Sequence, residues 1–206
     1  VCAYDERYGA EASDVDLNVT ESTVAMTIQE DDSARFTARL DLTESSAAAL
    51  RDNESGVDAV VDAAFDRRYV GHDRGARNVT SSVADDELVV AWMIPDAARD
   101  GPGGTTIVTL FGERSNAIVL RADRLVLASA NDERVVNRPA TGRVEDLAAT
   151  GDGSRDGERV VWTGDADFRT RQHLDDGTYV AFAPREGVLA SAAAELGVAR
   201  LVGPTM

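Results

Sequence analysis

The sequence predicts an α+β fold, with antiparallel β-rich sheets, one amphipathic helical insertion and a C-terminal helix. Two observations support this prediction. Short apolar runs separated by turn signals recur about every 8–12 residues. Apolar residues at helical spacing are confined to about residues 43–69 and 186–196. Strands and helices are therefore segregated rather than alternating, which favours antiparallel sheets over βαβ units.

The first predicted element is a β-hairpin. Residues 22–28 and 34–42 are strand-like and flank the polar turn Glu30–Ser33. In the second run, apolar and polar residues alternate strictly, which predicts one dry face and one charged face. The apolar set is Phe36, Ala38, Leu40 and Leu42, and the polar set is Arg35, Thr37, Arg39 and Asp41.

The helical insertion follows the hairpin. Thr43 is predicted to cap a short helix that ends near Arg51, and Ser55 to begin a longer helix with Asp58 as the acid of a capping box. Apolar residues in this second helix recur at helical spacing and predict a core-facing stripe. They are Val57, Val60, Val61, Ala64, Phe65 and Tyr69.

The rest of the chain reads as short strands joined by turns. Predicted strands lie at 79–83, 88–94, 105–111, 117–120, 124–128, 135–136, 142–147, 159–163 and 178–183. Residues 95–104 form a Pro- and Gly-rich break, and Gly197 ends the helix at 186–196. We expect an acidic tether at 1–18 and two β-rich lobes at 19–112 and 113–206. The alternative is one continuous domain over 19–206.

Charge is the most distinctive compositional feature. The 206 residues include 37 acidic and 21 basic side chains, and every basic residue is arginine, which gives a net charge of −16. Such a charge repels itself in dilute buffer, whereas in about 1 M salt the Debye length falls to about 3 Å. Codon bias explains missing lysine but not the acidic excess, so the composition predicts a halophilic protein.

The same charge argues against nucleic acid as a partner. Phosphate binding needs clustered cations, and acidic residues flank the densest basic points in the sequence, at 67–68 and 74–77. No apolar stretch approaches the roughly 20 residues of a membrane span.

Four residues indicate an extracytoplasmic location. Cys2, the only cysteine, precedes an acidic segment, as in lipoproteins whose cysteine carries a membrane-anchoring lipid. Three Asn-x-Ser/Thr sequons begin at Asn18, Asn53 and Asn78 and predict glycosylation sites. The alternative is a cytoplasmic halophilic protein, in which Cys2 is a chance free thiol and the three sequons are not used.

One loop resembles part of a calcium site. Asp152, Ser154 and Asp156, followed by Gly157, match the first half of an EF-hand loop, and Asp165 and Asp167 are further candidate oxygen ligands. The twelfth position is Thr163 rather than glutamate, so a solvated turn is the alternative interpretation.

Catalytic signals are few. His72 and His173 are the only histidines, and surface histidines are the simpler interpretation of both. The sequence has no nucleophile elbow, no phosphate-binding loop and no dinucleotide fingerprint. It therefore gives no catalytic residues and no cofactor beyond the calcium hypothesis.

The chain resembles uncharacterised, lipoprotein-like cell-surface proteins of haloarchaea. The resemblance rests on the cysteine near the N-terminus, the hairpin 23–42 and the strand end Val161-Trp-Thr-Gly164. It implies an extracytoplasmic, lipid-anchored domain and supplies no catalytic residues. We therefore expect a non-enzymatic, membrane-tethered envelope protein that serves as a structural or binding module with an unknown ligand. The alternatives are an exported hydrolase that uses carboxylates, with or without calcium, and a cytoplasmic halophilic protein.

Overall fold

A computed structural model describes residues 17–66, 75–110, 117–120, 122–131, 133–139, 141–146, 157–164, 170–173 and 179–185. The first half contains β1 Val19–Ile28, β2 Ala34–Leu42, α1 Glu44–Arg51, α2 Glu54–Asp66, β3 Arg77–Ala84, β4 Glu87–Ile94, β5 Ala98–Asp100 and β6 Thr106–Val108. The second half contains β7 Ala117–Leu120, β8 Arg124–Ser129, β9 Glu133–Asn137, β10 Arg143–Asp146, β11 Glu158–Thr163, β12 Thr170–His173 and β13 Val180–Pro184.

The described strands form three sheets, which confirms the predicted β-rich α+β class. The largest has seven strands in the order β10-β11-β8-β1-β2-β4-β3, and the others have the orders β5-β6-β13-β9 and β12-β7. All described pairs are antiparallel except β1 with β8, so the large sheet is mixed. The apolar run at 125–128 suits a strand that lies inside a sheet and pairs on both edges.

Both larger sheets contain strands from before and after residue 112. In the seven-stranded sheet β8 lies beside β1, and in the four-stranded sheet β13 lies beside β6. Strands of the two predicted lobes therefore share both of the larger sheets. Residues 1–16 of the tether predicted at 1–18, and the C-terminal helix predicted at 186–196, lie outside the described residues. The last two residues of that segment are described, and Leu17 is buried.

The predicted hairpin is present with its register intact. Met26 pairs with Phe36, and the turn closes through a hydrogen bond from the backbone NH of Gln29 to the carbonyl of Ser33, at 2.8 Å. The carboxylate of Asp31 accepts hydrogen bonds from the backbone NH and hydroxyl of Ser33. These bonds lower the pKa of Asp31.

The helical insertion is present, but its caps differ from those predicted. Thr43 precedes α1 without a side-chain capping bond, and its hydroxyl donates to Ser46 Oγ instead. Asn53, not Ser55, caps α2, since Asn53 Oδ1 accepts from Gly56 NH at 2.9 Å. The Ser55 hydroxyl donates to the same oxygen. The predicted capping box with Asp58 was therefore wrong, because the side chain two residues earlier occupies the capping position.

One hydrophobic core fills the inner face of the seven-stranded sheet. The helices lie against β2 and β3, and β9 lies against β11. Trp92 is central: its ring stacks on Phe36 with centroids 5.0 Å apart and meets the edge of Phe65 at 5.4 Å. Val180 and Phe182 extend the same core into the four-stranded sheet.

Two polar joints connect distant strands. Asp123, just before β8, accepts from the backbone NH and hydroxyl of Ser22 on β1, at 2.7 and 2.9 Å. Glu133 is buried and accepts from the hydroxyls of Ser129 on β8 and Thr106 on β6, so it joins the two larger sheets.

Two short strands were absent from the sequence prediction. They are β5, in the segment predicted as a break, and β12, in a polar segment. In the described part of the chain, no helix is long and apolar enough to cross a membrane.

Candidate binding surface

The seven-stranded sheet has a second face, opposite the core, which we call the outward face. Strand alternation and the pairing register place one set of side chains on it. Its middle row is mostly small or apolar, with Val161, Val126, Ala25, Thr37 and Ala91 on five successive strands. Charged side chains lie on either side of this row.

Arginine is concentrated on the outward face. The register places six of the 21 arginines there, with four acidic side chains. The arginines are Arg35, Arg39, Arg77, Arg124, Arg143 and Arg159, and the acids are Glu21, Asp41, Glu87 and Glu145. This face is therefore net positive on a chain whose net charge is −16.

Three of these arginines converge on one carboxylate, and we call this group the Glu145 cluster. Arg124 Nη2 and Arg159 Nη2 both donate to Glu145 Oε2, at 2.9 and 3.0 Å. Arg143 donates to Glu145 Oε1 through Nε, at 3.1 Å, and through Nη2. Pairing of β10 with β11, and of β11 with β8, brings the four side chains together.

The Glu145 cluster lies beside a buried apolar side chain. Val161 lies on the outward face yet is only 2% exposed, next to Arg143 across the sheet. The side chains of Arg124, Arg143 and Arg159 are 37%, 69% and 30% exposed, against 22% for Glu145. The arginine side chains are thus more exposed than the glutamate side chain that they surround.

The cluster has a surplus of positive charge and of hydrogen-bond donors. Hydrogen bonding from Arg143, with further contributions from Arg159 and Arg124, lowers the pKa of Glu145 below its ordinary value of 4.5. The cluster therefore carries a charge of +2 near neutral pH. Three guanidinium groups offer about 15 N–H donors, whereas Glu145 accepts four of these bonds.

A second ion pair lies two strands away on the same face. Arg39 Nη1 on β2 donates to both oxygens of Glu87 on β4, at 3.2 and 2.9 Å. Here one cation meets one anion, so the pair is neutral. The positive surplus of the outward face is thus concentrated at the Glu145 cluster.

The three predicted glycosylation sites lie in different environments. Asn18 is exposed just before β1, and Asn78 is exposed in a bulge of the edge strand β3. Asn78 has φ 54°, a left-handed conformation that asparagine tolerates better than most residues. Asn53 is partly buried as the cap of α2.

The other predicted sites cannot be placed on the surface. Cys2, His72 and all five candidate calcium ligands, which are Asp152, Ser154, Asp156, Asp165 and Asp167, lie outside the described residues. His173 ends β12, where the structure describes only the backbone. Within the described ranges, no three His, Cys, Asp or Glu side chains converge as metal ligands.

The Glu145 cluster was missed by sequence reasoning, which looked for runs of basic residues. Arg143 and Glu145 stand two apart on one strand, which does signal a shared face. Arg124 and Arg159 are isolated in sequence, so only the strand order brings them to Glu145.

Comparison of the chain with known protein families, curated proteins and solved structures found no match.

Proposed function

We propose that this protein is a non-enzymatic envelope module of a halophile, tethered outside the cytoplasm through a lipid on Cys2. In this proposal the β-rich domain binds a ligand or partner through its outward face. The observation that carries the binding role is the concentration of six arginines on that face of a chain with net charge −16.

Charge and modification signals support the proposed environment. An acidic, lysine-free surface suits a medium in which cations screen the carboxylates. Asn18 and Asn78 are exposed sequon residues, as a glycosylated surface requires. Asn18 and Asn78 can be glycosylated only if the chain is exported.

The salt dependence of folding tests the first part of the proposal. We expect circular dichroism of the purified chain in about 0.1 M KCl to show loosening or unfolding, and about 2 M KCl to restore the β-sheet spectrum, because the Debye length becomes shorter than the spacing of surface charges. Sucrose at matched osmolality is the control for solute exclusion, which acts without screening. Equal stability at both salt concentrations contradicts salt adaptation.

The intact mass of the native protein, purified from its own cells, tests the location. The proposal expects a lipid on Cys2 and added glycan mass at Asn18 or Asn78, with less at Asn53 because its side chain caps a helix. A native mass equal to that of the bare chain contradicts export with these modifications and favours the cytoplasmic alternative.

A further inference from the structure

We infer that the Glu145 cluster is a binding site for oxyanions, such as the carboxylate, sulfate or phosphate group of a larger ligand. The inference deepens the proposed function, and rests on it in that it gives the binding module a ligand class. Its residues are Arg124, Arg143, Arg159 and Glu145, which come from three neighbouring strands.

The first support is electrostatic. Glu145 neutralises one of three guanidinium groups, and a pKa below the ordinary value keeps it ionised, so the site retains a charge of +2. In the neighbouring pair of Arg39 and Glu87 the charges cancel. One carboxylate balances one guanidinium group, so the two additional arginines leave positive charge that an anionic ligand can meet.

The second support is the accessibility and geometry of the donors. The side chains of Arg143 and Arg124 are 69% and 37% exposed, so a ligand can contact both side chains from solvent. Glu145 holds all three arginines in place, which reduces the conformational entropy lost when a ligand binds. Among the described residues, Arg159 Nε has no acceptor, and Glu145 accepts only four hydrogen bonds from the three arginines.

The third support concerns the salty medium. In about 1 M salt, charge attraction beyond about 3 Å is screened, so a site must work through contact hydrogen bonds. Guanidinium groups form paired N–H···O bonds with the planar or tetrahedral oxygens of oxyanions. Chloride accepts convergent bonds at a single atom, whereas an oxyanion accepts two parallel bonds at two oxygens, so paired guanidinium donors favour an oxyanion over the abundant halide.

Calorimetric titration of the purified full chain tests the inference. The probes are sodium sulfate, sodium phosphate and sodium glucuronate, each in about 2 M KCl at fixed ionic strength. We expect saturable binding of at least one probe, and the preferred probe identifies the source of the oxyanion. Heats that equal the dilution blank for all three overturn the inference.

Matched variants locate the site. We expect Arg124→Gln and Arg159→Gln each to weaken binding about tenfold, as expected for loss of a charged hydrogen bond. Arg35→Gln removes the same charge from the same face, outside the cluster, and should bind like the parent chain. Equal weakening by all three variants overturns the assignment, because it indicates a general charge effect.

Glu145→Gln gives an independent readout if an arginine variant fails to fold. This change raises the charge of the cluster from +2 to +3 and leaves an amide oxygen that still accepts hydrogen bonds. We expect tighter oxyanion binding, whereas a purely structural cluster predicts no change. An exported chain that binds no oxyanion overturns only this inference, and an oxyanion-binding chain without lipid or glycan overturns only the proposed location.

Discussion

The two faces of the seven-stranded sheet use the same backbone for different purposes. On β2, Phe36 points into the core and is 1% exposed, whereas its neighbours Arg35 and Thr37 point outward. The inner face excludes water and packs aromatic rings around Trp92. The outward face carries arginines that remain in contact with water. Burial of apolar side chains, and with it most of the stabilisation, is therefore concentrated on the inner face, whereas Arg124 and Arg143 on the outward face stay exposed.

The largest expected effect is on the inner face. Phe36→Ala should lower the free energy of unfolding by about 3–5 kcal/mol, because it removes a buried ring and leaves a cavity beside Trp92. Thr37→Ala, one residue later on the outward face, should cost less than about 0.5 kcal/mol. Urea unfolding in molar KCl, followed by tryptophan fluorescence, measures both. Similar losses of unfolding free energy for the two variants would contradict the claim that the inner face supplies most of the stability.

An intermediate loss of unfolding free energy is expected from a substitution at the contact between β1 and the residue that precedes β8. Asp123→Ala removes a carboxylate that accepts two hydrogen bonds from the buried Ser22, and should cost about 2 kcal/mol. A double-mutant cycle with Ser22→Ala isolates their interaction. If the two losses simply add, the contact between these residues does not stabilise the parallel strand pair.

The smallest expected effect on stability comes from the ion pairs of Glu145 on the outward face, and this effect depends on pH. The folded pKa of Glu145 lies below the unfolded one, so its ion pairs stabilise the fold above the ordinary value of 4.5. This contribution is lost as the pH falls through the lower, folded pKa.

Melting temperatures of the parent chain and of Glu145→Gln, measured from pH 7 down to pH 3, check this sign. The parent should melt slightly higher near neutral pH, and the difference should vanish in acid. Asp41→Asn controls for loss of one negative charge from the same face. A difference that grows towards low pH would contradict the lowered pKa.

The sequence predicted some elements well because their signals are local. The alternation in β2 assigned each residue to a face, and the periodicity around Val60 predicted a helix with a buried stripe. The predicted capping residue of α2 was wrong. Asn53 and Ser55 are both good capping residues, and only the path of the backbone decides which of them caps the helix.

The candidate site could not be predicted in the same way. Asp123 and Ser22 are 101 residues apart, and the parallel pairing that joins their strands leaves little local trace. The Glu145 cluster depends on the same strand order, because Arg124 reaches Glu145 only if β11 lies between β8 and β10. No short-range pattern encodes that order.

The sequence alone therefore determined the charge, the β-rich class and the division of strand residues between a dry and a charged face. These properties depend on composition and on a two-residue period, which any extended strand expresses. The tertiary structure decided which strands are neighbours, and so which charges meet. Three arginines, separate in sequence, converge on Glu145 because hydrogen bonding between strands fixed their register.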